Sequence, residues 1–245
     1  GVPNLRPAAY FDVRQQGEAF ADVGTHVVDL AHWTLFPDQA LDYKKDFRIL
    51  NARRWPTVLT LDDFTKVTGE RAYPDYLAAD VREGKLYYFA NNSVLYHARG
   101  RAIRLSVTWD FESPSGASDT MVALYRGAKS EVMARQSAEE RYLPEVYVTP
   151  RAAYRATVLA AVDRRLAKLA SAYPGLSRSE DKDGRIRIVI PQSLRIPDID
   201  YFLLLAERFA GYIRNPETLP RWERPNMLAK YWVTTQSVKA AKESQ

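Results

Sequence analysis

The chain has 245 residues, 46% of them apolar and 27% charged, which is the composition of a folded globular protein and not of a disordered or collagen-like one. It contains no cysteine, so disulfides, thiolate metal sites and thiol catalysis are excluded, and its three histidines leave little material for an all-histidine metal site. Lys and Arg number 35 against 30 Asp and Glu, a net charge of +5. The basic residues fall in isolated pairs such as Arg53-Arg54 and Arg164-Arg165, so no nucleic-acid tract is predicted. No apolar run approaches the roughly 18–20 residues that span a bilayer.

The first seven residues, Gly1-Val2-Pro3-Asn4-Leu5-Arg6-Pro7, lack the apolar segment of a secretory signal and read as a linker entering a domain from elsewhere. Ala8–Val13 is a short strand candidate. A helix is expected from about Glu18 to Leu35, stopped by Pro37. Tyr43–Trp55 reads as a strand ending at Pro56. Thr60-Leu61-Asp62-Asp63 reads as a helix start, with Gly69 as its stop.

A β meander follows in Lys85–Ala98, Arg101–Phe111, Thr120–Arg126, Lys129–Gln136 and Glu145–Val148, separated by glycine-bearing turns. In the second of these, Ile103, Leu105, Val107 and Trp109 alternate with Arg104, Ser106, Thr108 and Asp110, the pattern of an antiparallel sheet with one wet face. Thr149-Pro150 is expected to cap a helix to about Ala172, whose Leu159, Val162, Leu166 and Leu169 cover a core. Arg185–Ile190 is a further strand, and helices near Asp200–Arg214 and Asn226–Lys242 close the chain. The sum is an α+β fold: an open, mostly antiparallel sheet with helices packed on one face, in a single domain over residues 1–245.

No two of the eleven glycines stand two apart, so neither a dinucleotide fingerprint nor a phosphate loop is present. A Gly-x-Ser-x-Gly elbow is also missing. The chemistry instead gathers in the first long helix. Wound at about 100° per residue, the stretch from Gln16 to Trp33 places Phe20, Val23, Gly24, Val27, Val28, Leu30 and Ala31 on one half, and Asp22, His26, Asp29 and Trp33 in a narrow sector opposite. Asp22 and His26 stand four apart, the spacing at which a carboxylate can orient an imidazole and raise its basicity. Gly24 lets the helix pack closely against the sheet. His32 and His97 read as core or strand residues. The pattern alone also fits a modest surface pair.

The residues Gly17, Asp22, Gly24, His26 and Asp29, within QGEAFADVGTHVVDLAHW, resemble the start of the C-terminal domain of the Gfo/Idh/MocA oxidoreductases, which carry an Asp-x-x-x-His motif on that domain's first helix. The ending LPRWERPNMLAKYWVTTQSVKAAKES resembles the oxidoreductase C-terminal domain subgroup.

The resemblance implies a glyceraldehyde-3-phosphate-dehydrogenase-like C-terminal domain without its Rossmann partner. That partner would hold NAD or NADP and supply a Glu-Lys-Pro lysine that is absent here. It also implies His26 and Asp22 as the acid/base pair, Asp29, Trp33 and Arg14 as contacts to a sugar or polyol, and a homo-oligomer formed through the sheet face. The isolated chain is then expected to bind no cofactor and to be inactive. The alternative is a carbohydrate-binding or oligomerising module that keeps the scaffold without the chemistry.

Overall fold

The computed structural model describes residues 1–195 and 198–244. In chain order the elements are β1 (Val2–Pro3), α1 (Val13–Gln16), α2 (Gly24–Leu35), β2 (Phe47–Leu59), α3 (Leu61–Thr68), β3 (Val81–Arg82), β4 (Lys85–Ala98), β5 (Arg101–Val107) and β6 (Glu112–Ser113). They continue with β7 (Met121–Arg126), β8 (Ser130–Gln136), β9 (Glu145–Pro150), α4 (Arg155–Leu169), β10 (Ser177–Glu180), β11 (Ile186–Val189), α5 (Asp198–Arg214) and α6 (Glu223–Glu243). The architecture is α+β with open antiparallel sheets.

Among the described residues the expected single sheet is replaced by two larger sheets and a two-stranded pairing of β1 with β6. The chain divides into two compact units, one of Gly1–Ser115 with the segment from Asn215 onward, the other of Gly116–Arg214. The meander is cut between β5 and β7, where no change of composition marks the boundary.

In the first unit, β4 is the central strand. It pairs with β2 along one side, and with β3 and then β5 along the other. Helices α2 and α6 cover one face through Val28, Ala31, Ala229 and Val233, with Phe20 from the turn before α2, packed on Phe47, Ala52, Val94, Tyr96 and Ile103. A second cluster of Phe11, Leu59, Phe64, Val67, Leu77, Leu86 and Tyr88 includes α3. Thr60 caps α3 reciprocally with Asp63, and Gly69 closes it at φ 81°, a left-handed conformation that suits glycine.

Pro56 does not end its strand. β2 runs on to Leu59, and the register shifts between Trp55 and Thr57. An edge strand tolerates a residue without an N–H at such an irregularity.

The second unit carries the sheet β10-β11-β9-β8-β7, with Val158, Leu159 and Val162 of α4 packed against Val132, Val148 and Ile186. Thr149 and Pro150 are not helix caps. They extend β9 by pairing with Glu131 and Ser130, and α4 begins only after a 3-10 turn at Ala152–Tyr154. Ala8–Phe11 is likewise a 3-10 turn where a strand was expected.

His32 belongs to the first core. It is 1% exposed, with Nε2 3.0 Å from the Tyr96 hydroxyl and its ring beside Phe47. Burial holds the imidazole down at about 4, so it is neutral in the fold. In the unfolded chain it takes up a proton near 6.5. The unfolded state therefore binds more protons between those values, and stability falls as pH drops from about 6.5 to about 4. The loss is on the order of 3 kcal/mol. Urea unfolding across this range should show a steeper fall for the wild type than for His32→Gln, which cannot titrate. Equal slopes would contradict a buried neutral imidazole.

Candidate active site

The helix that carries the motif is shorter than its periodicity suggests. α2 begins at Gly24, and residues 18–23 form a turn in which the Gly24 N–H reaches back to the Ala19 carbonyl at 2.8 Å. That five-residue reach is wider than the four-residue α-helical bond, and it breaks the ladder that would have run from Glu18. Gly24 serves this turn and not the sheet packing. A Cβ there would sit 2.6 Å from the Phe20 ring and 3.2 Å from the Ala19 carbonyl oxygen.

The turn is pinned from three sides. The buried Glu18 carboxylate accepts a hydrogen bond from Arg54 of β2, and Lys242 of α6 lies 3.2 Å from the same oxygen. Asn92 of β4, wholly buried, accepts the Phe20 N–H at 3.2 Å. Arg54 is itself stacked on Phe89, 3.6 Å from the ring centre. Charged groups removed from water need such pairing, and their mutual geometry then fixes the backbone that bears them.

On this base the candidate residues divide. Asp22, half-buried, lies in the turn and its carbonyl accepts the Thr25 hydroxyl at 2.8 Å. Its carboxylate acts on Tyr88, whose phenol is pushed up by burial, by the hydrogen bond with Tyr10 and then by Asp22. No hydrogen bond joins Asp22 to His26 among the described residues. His26 is exposed on α2, and the carboxylate it acts on is Asp29, three residues further along the helix.

Asp29 is tied to Lys230 of α6 at 2.7 Å. Burial raises the Asp29 carboxyl, with Lys230 and then His26 opposing the rise. Trp33, one turn beyond, is exposed. Arg14 is held elsewhere: its Nε donates to Asp12 at 2.8 Å and its Nη2 to the Tyr76 carbonyl.

The site thus presents an open imidazole, a carboxylate restrained by an ammonium, and a second carboxylate beside a buried phenol. It can exchange a proton with a bound hydroxyl and hold neighbouring hydroxyls.

Lys230, Tyr88 and Glu18 are the participants that sequence reasoning missed. Lys230 lies 201 residues from Asp29, and no local spacing announces that contact. A groove in the same unit, lined by Phe47, Arg48, Trp232, Gln236, Lys239 and Glu243, contains none of the motif residues. Among the described residues no cluster suited to a metal ion occurs. Among the described residues the left-handed glycines Gly17, Gly69, Gly84, Gly100, Gly116, Gly175 and Gly184 stand singly in the sequence.

The chain has the fold of an oxidoreductase C-terminal domain. It belongs to the family described as putative oxidoreductase C terminal domain, whose model matches residues 1–242. A crystal structure of a putative oxidoreductase from Parabacteroides merdae ATCC 43184 is similar over 99% of the chain, with 37% sequence identity and a TM-score of 0.93. The chain spans 55% of that protein's length. Comparison with curated proteins finds no match.

Gly24→Ala tests the turn. The added methyl meets the Phe20 ring and the Ala19 carbonyl, so a loss of about 1–3 kcal/mol in urea unfolding is expected. An unchanged or raised midpoint would show that the turn does not require the glycine.

Proposed function

We propose that these residues form the substrate-side domain of an NAD- or NADP-dependent oxidoreductase of the Gfo/Idh/MocA type, acting on a hydroxyl of a sugar or polyol. The observation that carries this reading is the exposed His26 beside Asp29, directly after the pinned turn that bears Asp22, in a chain of the oxidoreductase C-terminal family.

A bound nicotinamide would accept the hydride. In this reading the cofactor belongs to a Rossmann domain outside this segment, and the 245 residues alone are inactive. Within the segment, His26 takes the proton of the substrate hydroxyl. Asp22, which is not bonded to the imidazole, orients a neighbouring hydroxyl. Asp29, restrained by Lys230, lies beside the imidazole and accepts from substrate, and Trp33 offers a stacking surface. Arg14 can join only if it releases the Tyr76 carbonyl. Holding reactants in a near-attack pose is the main catalytic task of such a domain. Leu50, Val58, Val122 and Leu124, all exposed on strands, support a homo-oligomer formed through sheet faces.

The test is His26→Ala in the full-length protein, assayed with a panel of sugars and polyols and either nicotinamide cofactor. Turnover should fall by about 10²–10⁴-fold. Unchanged turnover would remove His26 as the base and favour a non-catalytic carbohydrate-binding or oligomerising module.

A further inference from the structure

Asp29 has two basic neighbours and is bonded to one of them. Lys230 of α6 donates to its Oδ2 at 2.7 Å. His26 stands three residues earlier on α2, a helical spacing from which an imidazole can also reach the carboxylate. The imidazole is exposed, and among the described residues no hydrogen bond or ion pair holds it.

Burial decides between the two neighbours. The side chains of Lys230 and Asp29 are 18% and 15% exposed, so their attraction is little screened. A bond to His26 would lie on the open side of α2, where a pair at this spacing is weak. The ammonium is held a second time, 5.1 Å from the centre of the Tyr231 ring.

Lys230 and His26 are the charged groups that act on Asp29. Glu223 stands two turns before Lys230 on the same side of α6. Further along α6, Lys242 meets Glu18 and Lys239 lies 3.9 Å from Glu243. Asp22, in the turn before α2, acts on Tyr88. β5 also packs on α2; it turns Ile103 and Leu105 into the core and leaves Arg101 and Arg104 exposed.

We propose that Lys230 is a positioning residue that holds the Asp29 carboxylate toward α6 and so leaves the His26 imidazole free to meet a hydroxyl. The catalytic consequence rests on the reading of His26 as the base. Without the ammonium, the carboxylate turns to His26 and stabilises the imidazolium, which cannot take a proton from a hydroxyl.

Histidine NMR of the 245-residue chain tests the clamp, with the His26 signal assigned from its loss in His26→Gln. In Lys230→Met the protonation midpoint of His26 should rise by roughly 0.5 pH unit or more. Lys230→Arg should keep the wild-type midpoint. Loss of a nearby positive charge raises the midpoint by itself, so the decisive comparison is made without Asp29. Between Asp29→Asn and Asp29→Asn/Lys230→Met the rise should be much smaller. Lys230→Gln, which keeps an N–H donor for the carboxylate, replaces Lys230→Met if that variant does not fold. A midpoint unmoved by loss of the ammonium, or a rise equally large without Asp29, would overturn the proposal.

In the full-length protein the acid limb of the kcat/KM pH profile should move upward with the NMR midpoint, and a limb that stays fixed while the midpoint moves would overturn it as well. If the midpoint moves while His26→Ala leaves turnover unchanged, the clamp on Asp29 stands and the reading of His26 as the base fails.

Discussion

The candidate site rests on one buried carboxylate. Glu18 is 3% exposed and sits between Arg54 of β2 and Lys242 of α6, with Arg54 stacked on Phe89. A buried ion pair of this kind adds little net stability, because desolvation offsets the attraction. What it supplies is position. The turn of residues 18–23 is fixed relative to the central sheet and to the last helix, and α2 must then start at Gly24. Asn92 takes the Phe20 N–H, so the backbone is held as well as the side chain.

The consequence is a division of labour between two carboxylates that look equivalent on a helical wheel. Because the ladder breaks before Gly24, Asp22 is left in the turn beside the buried Tyr88. Asp29 keeps its helical place near His26 and is restrained by Lys230 from α6. His32, on the same helix, is given to the core, where burial keeps it neutral against Tyr96. One helix thus carries an imidazole for structure and an imidazole open to chemistry, separated by which face meets the sheet. The family makes the chain an oxidoreductase C-terminal domain.

Much of this is legible in the sequence where signals are local. The alternation in β5, the capping box of Thr60 with Asp63 and the run of β4 from Lys85 to Ala98 follow from short-range patterns. The Asp-x-x-x-His spacing is legible too, but the two side chains end up in different elements, Asp22 in the turn and His26 on α2. What escapes is set by distant partners. Periodicity cannot reveal that Glu18 will be bonded across 36 residues to Arg54, in a turn that delays the helix start to Gly24. It cannot show Lys230 against Asp29, nor that Pro56 will sit at an irregularity on an edge strand. Thr149-Pro150 has the local form of a helix start, but pairing with β8 overrides it. The division into two units is hidden because both sheets share the same strand chemistry and the boundary near Gly116 has the same polar composition as any turn.

The clamp is measured most directly by hydrogen exchange. In the wild type, the amides of Phe20 and Gly24 should be protected with the central sheet. Glu18→Gln leaves Arg54 and Lys242 without their carboxylate, so exchange at these two amides should quicken by tenfold or more while β8 and β9 stay unchanged. Protection at Phe20 and Gly24 that survives Glu18→Gln would contradict the account, because the turn would then hold its place without the buried charge.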